Sequence, residues 1–298
     1  MYYTKVHLED EITSEDDKLK IVATHHPLGV VGAICPWNFP LILSNIKVVS
    51  SLITGNCIIV KPSPFTPYSL AGNDAAIVTD DVDIGEVAGR VATGCFFNAG
   101  QMCVATKRVY VHESIYDEFL EKFTSEVKKS FSIKSDATSP SLFGPVSNKM
   151  QYDSVKDIAD HYKRNGHSVI ATELPLDSKG FWVPPTIITK PPEDSIIVRE
   201  EQFGPILPIL TWTDEEEVIQ RANLSNAGLG ASVYCRDVGR AESIARKIEA
   251  GTVSINVPEL PNVGGYFAGM KDSGHGGEMG KQGLLSYCYT QSLHFAKT

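Results

Sequence analysis

The stretch Phe96-Phe97-Asn98-Ala99-Gly100-Gln101-Met102-Cys103 joins two patterns of different period, and the fold can be worked out from it. A helical pattern of apolar residues runs over residues 84–101 and ends before Gly100. Beyond the stretch, residues 108–111 have the apolar character of a short strand. Helical patterns that alternate with apolar strands are typical of parallel α/β proteins. The stretch therefore predicts an α/β fold with a connecting turn at Cys103.

The same alternation continues toward the C-terminus. Two apolar stripes, one beginning at Tyr116 and the other at Val155, predict two further helices. Gly251 follows a later helical pattern in the position that helix C-termini favour. Strands are predicted at residues 168–171, 186–189, 206–210, 231–235 and 253–256, and helices at 215–222 and 240–249.

The N-terminal region contains shorter apolar runs. Residues 19–24 alternate weakly, and residues 29–34 and 58–60 are short apolar runs separated by a helix-like stretch. A dinucleotide-binding half needs several βα units and a Gly-x-Gly-x-x-Gly turn, and the sequence contains no such turn. The glycines of residues 274–280 have a different spacing and are expected in a mobile loop. Residues 285–296 alternate in polarity and predict an exposed edge strand or an intersubunit strand.

Composition and charge narrow the class of protein. The 298 residues are 42% hydrophobic and 21% charged, which excludes a disordered or low-complexity chain. Lys and Arg number 27 against 36 Asp and Glu, so the net charge is −9, and without a basic run no nucleic-acid partner is expected. No apolar run is long enough to cross a bilayer, and the start of the chain lacks a secretory pattern. We expect a cytoplasmic protein without a membrane partner.

The cysteines and histidines give no sign of a metal or disulfide framework. None of the six cysteines forms a Cys-x-x-Cys pair, and the eight histidines form no His-x-x-x-His or His-x-His cluster. Cys103 is the candidate nucleophile, because Lys107 and Arg108 lie close in sequence and positive charge stabilises a thiolate. A single cysteine is more often structural, so the sequence around Cys103, taken alone, favours a structural role for this residue. Cys95 lies on the apolar face of the predicted helix and is expected to be inert.

Two polar groups elsewhere are further candidates. Asn38 lies in Pro36-Trp37-Asn38-Phe39-Pro40, where two prolines make a rigid turn that can hold its amide at a fixed point. An Asn in a turn ordinarily makes local hydrogen bonds only. Glu200 and Glu201 precede the turn at residues 202–205, and they suit either solvation, the favoured reading, or a binding role.

The motifs occur together and in an order that resembles the aldehyde dehydrogenase superfamily. The resemblance covers nearly the whole chain, and several separate motifs in the right order make it specific. The segments that carry it are Gly29-Val30-Val31-Gly32, Pro36 to Pro40, Thr54-Gly55-Asn56, Val60-Lys61-Pro62-Ser63, Gly100-Gln101-Met102-Cys103, Glu200-Glu201-Gln202-Phe203-Gly204-Pro205 and Phe267-Ala268-Gly269-Met270-Lys271-Asp272-Ser273-Gly274.

The resemblance implies roles for particular residues. It implies that Cys103 attacks an aldehyde carbonyl to form a thiohemiacetal. It implies that the Asn38 side chain and a backbone N–H near Cys103 hold the resulting oxyanion. Lys61 and Glu201 match residues that contact the ribose of a nicotinamide cofactor in the family.

The chain also departs from the family pattern. Members are longer, and two blocks are expected to be missing here, one before Lys5 and one between Pro67 and Leu70. Ser69 then stands in place of the family's general base, a glutamate in a Glu-Leu-Gly-Gly motif. Pro64 occupies the place of a ribose-binding glutamate, and Gly277 that of an arginine.

These departures lead to an expectation about function. We expect an aldehyde-dehydrogenase-like enzyme that uses Cys103 on a small aldehyde or acyl substrate and has lost NAD-coupled oxidation. No cofactor is expected, and Lys61 and Glu201 would be vestiges of the cofactor site. The alternatives are a residual dehydrogenase that uses NAD or NADP, and a non-catalytic oligomeric scaffold.

The resemblance also implies a division into domains. Residues 71–285 are expected to form the α/β catalytic domain with its parallel sheet. Residues 27–70 would be a remnant of the coenzyme-binding domain. Residues 1–26 and 286–298 would supply oligomerisation strands, so we expect a homo-oligomer.

Overall fold

The structure is a computed structural model, and it describes residues 6–63, 72–131, 142–173 and 180–297. The chain divides into two compact units, each built from segments that are distant in sequence. Unit 1 consists of Met1–Ser69, Pro261–Ala268 and His275–Thr298, and unit 2 consists of Leu70–Leu260 and Gly269–Gly274. The domain boundaries given above remain a prediction.

The secondary structure alternates along most of the chain. The strands are β1 (Glu11–Glu15), β2 (Leu19–Pro27), β3 (Val30–Cys35), β4 (Cys57–Pro62), β5 (Asp74–Val78), β6 (Thr106–His112), β7 (Val169–Ala171), β8 (Thr186–Thr189), β9 (Ile206–Trp212), β10 (Ala227–Gly228), β11 (Gly230–Tyr234), β12 (Thr252–Ile255), β13 (Phe267–Ala268), β14 (Met270–Lys271), β15 (Gly277–Glu278) and β16 (Cys288–Ala296). The helices are α1 (Pro40–Ile53), α2 (Ile84–Phe96), α3 (Tyr116–Ser130), α4 (Lys149–Arg164), α5 (Ile196–Arg199), α6 (Glu215–Asn223), α7 (Val238–Ala245) and α8 (Gly280–Leu285).

Unit 2 is built around a seven-stranded sheet. Its order is β12-β11-β5-β6-β9-β8-β7, and every neighbouring pair is parallel except β7 with β8. The parallel α/β fold predicted from the sequence is therefore confirmed. Because the main strands run in the same direction, the residues that precede β5, β6, β9 and β11 meet at one edge of the sheet.

The two faces of this sheet bury separate hydrophobic cores. One core contains Phe96, Phe119 and Phe123 from α2 and α3, and the other contains Val218 from α6 and Ile244 from α7. Neighbouring residues within β5 point alternately into one core and the other, as a strand covered on both faces requires. The sheet is thus closed to water on both sides.

Side-chain caps fix where several helices begin. The carboxylates of Asp83, Asp214 and Asp237 accept backbone N–H groups in the first turns of α2, α6 and α7. Asn148 caps α4 in the same way. The cap at Asp237 places α7 at Val238–Ala245, earlier than the predicted residues 240–249.

Unit 1 contains a three-stranded antiparallel sheet and a small parallel one. The antiparallel sheet has the order β1-β2-β16, so the last strand of the chain pairs with a strand near its beginning. The parallel sheet consists of β3 and β4, joined by α1 into one βαβ unit. Asn56 secures the connection, because its side chain accepts the Gly29 N–H at 2.6 Å and donates to the Tyr287 carbonyl at 2.9 Å.

The structure at the glycines of residues 274–280 differs from the predicted loop. They were expected in a mobile loop, but β15 pairs with β13 and α8 begins at Gly280. Gly277 faces the backbone of Phe267 so closely that a side chain at this position would collide with it. Gly277 therefore serves close packing of the backbone.

The helices offer no membrane-spanning segment. Within the described ranges, none of them is both long enough and apolar enough to cross a bilayer. This agrees with the sequence, in which polar residues interrupt each apolar run.

The core of unit 2 yields a test of the fold. Ile244 is fully buried in α7, and Ile196 in α5 is 46% exposed. Ile244→Ala is expected to lower the free energy of unfolding by about 2–5 kcal/mol, because it removes buried methyl groups and leaves a cavity. Ile196→Ala, the matched control, should cost about 1 kcal/mol or less. Urea unfolding measures both, and equal losses would contradict the placement of α7.

Candidate active site

Cys103 lies in a turn with unusual backbone geometry. After α2 the chain forms a short 3-10 turn at Phe97–Gly100, so the helix ends earlier than the pattern over residues 84–101 predicted. Asn98, Ala99 and Gly100 have φ values of 51°, 55° and 68°. Positive φ is costly for Asn and Ala, and such strain is found most often at functional sites. The connection to β6 is therefore held by its surroundings.

A buried lysine donates hydrogen bonds to the backbone of this turn. Lys107, in β6, is 1% exposed, and its Nζ donates to the carbonyl oxygens of Gly100 at 2.6 Å and Met102 at 3.2 Å. On the other side, a methyl group at Gly100 would lie 2.5 Å from the Gly204 carbonyl oxygen. The Cys103 turn thus packs directly on the turn that follows Glu201, with no room for a side chain between them.

Two carboxyl groups are buried together near the turn. Asp74 and Glu259 are 2% and 3% exposed and share a hydrogen bond, and the Thr106 hydroxyl donates to Glu259 at 3.3 Å. Burial raises the pKa of Asp74 to about 7, against the effect of hydrogen bonds from Glu259 and the Gly230 N–H. Burial and the neighbouring Asp74 charge raise the pKa of Glu259. Because both pKa values are raised, the pair is not fully ionised near neutral pH.

Glu201 is a third acid near the turn, and it is half-buried. Burial raises its pKa to about 8, while the Lys107 ammonium lowers this pKa and the Asp74 charge raises it further. The Gly72 N–H donates to its carboxylate. Oε1 is buried, and no described residue donates a hydrogen bond to it. A buried carboxylate oxygen in this state normally binds a water or a ligand hydroxyl.

Gly72 brings these groups together. A methyl group at Gly72 would collide with Asp74 Oδ1 and would lie 2.7 Å from the Cys103 carbonyl oxygen. Its N–H donates to Glu201. The sequence-predicted residues Cys103 and Glu201 therefore both border Gly72, at the edge where β5, β6 and β9 begin.

The protonation state of Cys103 differs from the expectation. Burial, with the charges of Asp74 and Glu201, raises the pKa of the Cys103 thiol to about 11, outweighing the opposite effects of Lys107 and the Val104 N–H. The expectation that Cys103 is a low-pKa thiol is therefore wrong. Arg108, counted as a stabilising charge, donates instead to the Asn73 carbonyl oxygen.

Asn38 and Lys61 belong to unit 1. Asn38 is half-buried in the turn between β3 and α1, and Lys61 is exposed near the end of β4. Because β3 and β4 are parallel, both residues lie at the carboxyl edge of this pair. Nucleotides bind at that edge in open α/β sheets. The roles of Asn38 and Lys61 remain predictions.

Sequence reasoning missed Asp74, Glu259 and the burial of Lys107. The available signal was a charged residue at or next to the first position of an apolar strand, as in Asp74-Ala75-Ala76-Ile77-Val78. Such a residue either reaches solvent or is buried with a partner, and pattern alone does not distinguish the two. Glu259 follows β12 in sequence but reaches Thr106 in β6, and only the tertiary fold brings them together.

Two other expectations fall outside what the structure tests. Ser69 and Pro64, expected to replace family glutamates, lie outside the described residues. The expectation of no metal site also stays a prediction, although within the described ranges no three His, Cys, Asp or Glu side chains are arranged to hold a metal ion.

Comparison with known sequences gives consistent matches. The sequence profile of the aldehyde dehydrogenase family matches residues 2–71 and 68–293. A putative aldehyde dehydrogenase, FUS7 of Gibberella moniliformis, is 36% identical, and the alignment covers 99% of this chain and 76% of that protein. Aldehyde dehydrogenase [NAD(P)+] 1 of Saccharomyces cerevisiae is 30% identical over 90% of this chain and 68% of its own length. The two profile segments meet where a block was expected to be missing, and the missing block stays a prediction.

Solved structures with the same fold are also found. The NAD+ complex of an aldehyde dehydrogenase from Bacillus cereus has a TM-score of 0.88 and 27% identity, and covers all of this chain and 74% of that one. Betaine aldehyde dehydrogenase from Staphylococcus aureus in complex with NAD+ has a TM-score of 0.85 and 26% identity, and covers 97% of this chain and 71% of that one.

These matches correct the expectation about cofactors. The expectation that no nicotinamide cofactor serves this chain is wrong, because the similar yeast enzyme is named for NAD(P)+ and two similar structures hold NAD+. The expectation rested on the apparent loss of the coenzyme sheet. In the structure, however, β3, α1 and β4 form an intact βαβ unit with an accessible carboxyl edge.

Cysteine labelling tests the geometry of this site. Cys57 is exposed, Cys103 is half-buried and Cys95 is buried. Iodoacetamide at neutral pH should label Cys57 first, Cys103 slowly and Cys95 not at all. Because only the thiolate reacts and the pKa of Cys103 is about 11, its rate should rise about tenfold per pH unit below that value. Peptide mass mapping measures this, and a rate for Cys103 that does not change with pH would contradict it.

Proposed function

Because the chain belongs to the aldehyde dehydrogenase family, we propose that it oxidises an aldehyde to a carboxylic acid with a nicotinamide dinucleotide as the hydride acceptor. The observation that carries the proposal is the half-buried Cys103 thiol, set beside Lys107 and Glu201 in a strained turn. Oxidation by NAD(P) therefore replaces the earlier preference for non-redox thiol chemistry.

The first step is addition of the thiol to the substrate. The Cys103 sulfur bonds to the carbonyl carbon of a small aldehyde, the carbonyl π electron pair moves to the oxygen, and the thiol proton passes to a neighbouring carboxylate, giving the alkoxide of a thiohemiacetal. The Val104 N–H already bonds to the Cys103 sulfur and so favours the thiolate. A backbone N–H near Cys103 would hold the developing negative charge on the substrate oxygen, and the role that the resemblance implies for the Asn38 amide stays a prediction.

The residues present fit the dinucleotide. Glu201 Oε1 is a buried acceptor with no donor among the described residues, as a ribose hydroxyl requires. Lys61 is exposed at the carboxyl edge of the parallel pair. Glu201 would therefore accept a ribose hydroxyl, the contact that the resemblance implies for Lys61 stays a prediction, and the bound dinucleotide is the hydride acceptor.

The burial of charged groups favours an enzyme over a non-catalytic scaffold. Each ion taken out of water costs several kcal/mol unless it is well paired. Here Asp74, Glu259 and Lys107 are buried and Glu201 is half-buried, and oxygens of all three acids lack a described donor. A scaffold gains nothing from this arrangement, whereas perturbed titratable groups beside a nucleophile are typical of catalytic sites.

Replacement of Cys103 tests the proposed function. Cys103→Ala should abolish the reduction of NAD+ or NADP+ by aldehydes, because no thiohemiacetal can form, while dinucleotide binding by calorimetry should persist. Cys57→Ser is the control, since Cys57 is exposed and lies in unit 1, and its activity should match the unaltered protein. The proposal would be overturned if the unaltered protein neither bound NAD+ or NADP+ nor reduced either of them when supplied with aldehydes.

We further propose that the protein forms homo-oligomers through the antiparallel sheet of unit 1. Tyr289 and Phe295 of β16 are 53% and 50% exposed and project from the same face of the strand. Large apolar side chains on such a surface favour burial against another chain.

Charge substitution on this face tests the assembly. The double substitution Tyr289→Glu and Phe295→Glu is expected to lower the mass measured by light scattering without loss of circular dichroism. Ser292→Glu, on the opposite face of β16, should leave the mass unchanged. An unaltered mass for the double variant would exclude this face as the interface.

A further inference from the structure

The Glu201 carboxylate is placed to bind a water beside Cys103. Its Oε1 is buried and has no donor among the described residues, while the Gly72 N–H holds the carboxylate in place. Gly72 in turn lies against the Cys103 carbonyl oxygen. A buried acceptor with an open position next to a nucleophile is where an ordered water is expected.

The charged groups around Glu201 come from several elements. Lys107 faces it from β6, and Asp74 faces it from the start of β5. Glu259, which follows β12, acts through its hydrogen bond to Asp74. The charges of Asp74 and Glu201 both act on the Cys103 thiol. Glu201 therefore belongs to a set of interacting groups and is not an isolated surface acid.

We propose that Glu201 is the general base that activates water for release of the acyl group from Cys103, an inference that rests on the proposed function. The water oxygen bonds to the thioester carbonyl carbon, and one water proton passes to the Glu201 carboxylate. The carbon–sulfur bond then breaks, and its electron pair stays on the Cys103 sulfur. The carboxylic acid leaves, and the proton on Glu201 passes to the Cys103 thiolate, which restores the thiol and the free carboxylate.

Glu201 suits this role better than the other two acids. Asp74 and Glu259 are bonded to each other and are almost completely enclosed. Each of the three acids has an oxygen without a donor among the described residues, but Glu201 alone of the three keeps partial exposure. Ser69, expected where the family has its general base, carries a hydroxyl that is not a base at neutral pH. The same Glu201 oxygen that would accept a ribose hydroxyl has no donor among the described residues, so it can accept one from water in the free enzyme.

The surroundings of Glu201 predict a pH dependence. With a pKa of about 8, the carboxylate is the minor form at pH 7, so acyl release should rise as pH increases through about 8 and then level off. Asp74 acts as a tuning residue, because its negative charge raises the pKa of Glu201. Asp74→Asn removes that charge and should move the rise to lower pH.

Hydrolysis of p-nitrophenyl acetate by the full chain, without any dinucleotide, tests this step. Acetylation of Cys103 releases a burst of nitrophenolate, and the later steady rate reports hydrolysis of the acetyl thioester. Glu201→Gln should retain the burst, lower the steady rate by about 10²-fold or more, and accumulate an acetyl adduct on Cys103 detectable by mass. Glu201→Asp, which retains a carboxylate, should retain the pH-dependent rise. Glu200→Gln, the adjacent exposed acid, is the control and should match the unaltered protein.

Each outcome decides the proposal. An unchanged steady rate in Glu201→Gln, or a pH profile that Asp74→Asn does not shift, overturns it. Absence of both burst and adduct in the unaltered protein removes Cys103 as the nucleophile and this inference with it. A normal burst with the expected Glu201→Gln defect, but no reduction of NAD+ or NADP+ by aldehydes, refutes the proposed oxidation and leaves the role of Glu201 in place.

Discussion

The buried ammonium group of Lys107 is the interaction on which the site depends. It bonds to two carbonyl oxygens of the strained Cys103 turn, and it is also the positive charge that faces Glu201 and Asp74. Burial lowers the pKa of Lys107, and the Glu201 and Asp74 charges oppose this shift without cancelling it. One side chain thus stabilises an unfavourable backbone and keeps several acids from being unpaired in a region of low dielectric constant.

The parallel sheet determines where these charges meet. Strands that run in the same direction bring the segments before β5, β6 and β9 to one edge, although they are separated by tens of residues in sequence. The glycines at this edge allow the segments to approach closely: Gly72 admits the Asp74 carboxyl group, and Gly100 admits the Gly204 carbonyl. The chemistry of Cys103 is therefore a property of the packed edge, with contributions from each of these segments.

The fold could be predicted well from the sequence, because the spacing of apolar residues and the Gly and Pro residues between the elements are local features. Strand β8 was predicted with its observed bounds, and the strands around it within a residue or two, since apolar runs between Gly and Pro specify them. The charge environment was not predictable in the same way. Lys107 and Arg108 are neighbours in sequence, yet one supports the Cys103 turn and the other bonds to the Asn73 carbonyl. The cofactor expectation failed for a related reason, because it counted missing strands and gave too little weight to the βαβ unit that remains.

The division of the chain into units has a consequence for how the protein is made. Unit 2 ends at Gly274, whereas unit 1 needs the final residues 275–298, and β2 gains its partner β16 only at the end of the chain. During synthesis, unit 2 can therefore complete its sheet while the first strands of the protein still wait for the last one. Contacts between such distant segments form slowly. The early strands, with their unpaired edges, are then the part of the nascent chain most in need of protection from neighbouring polypeptides.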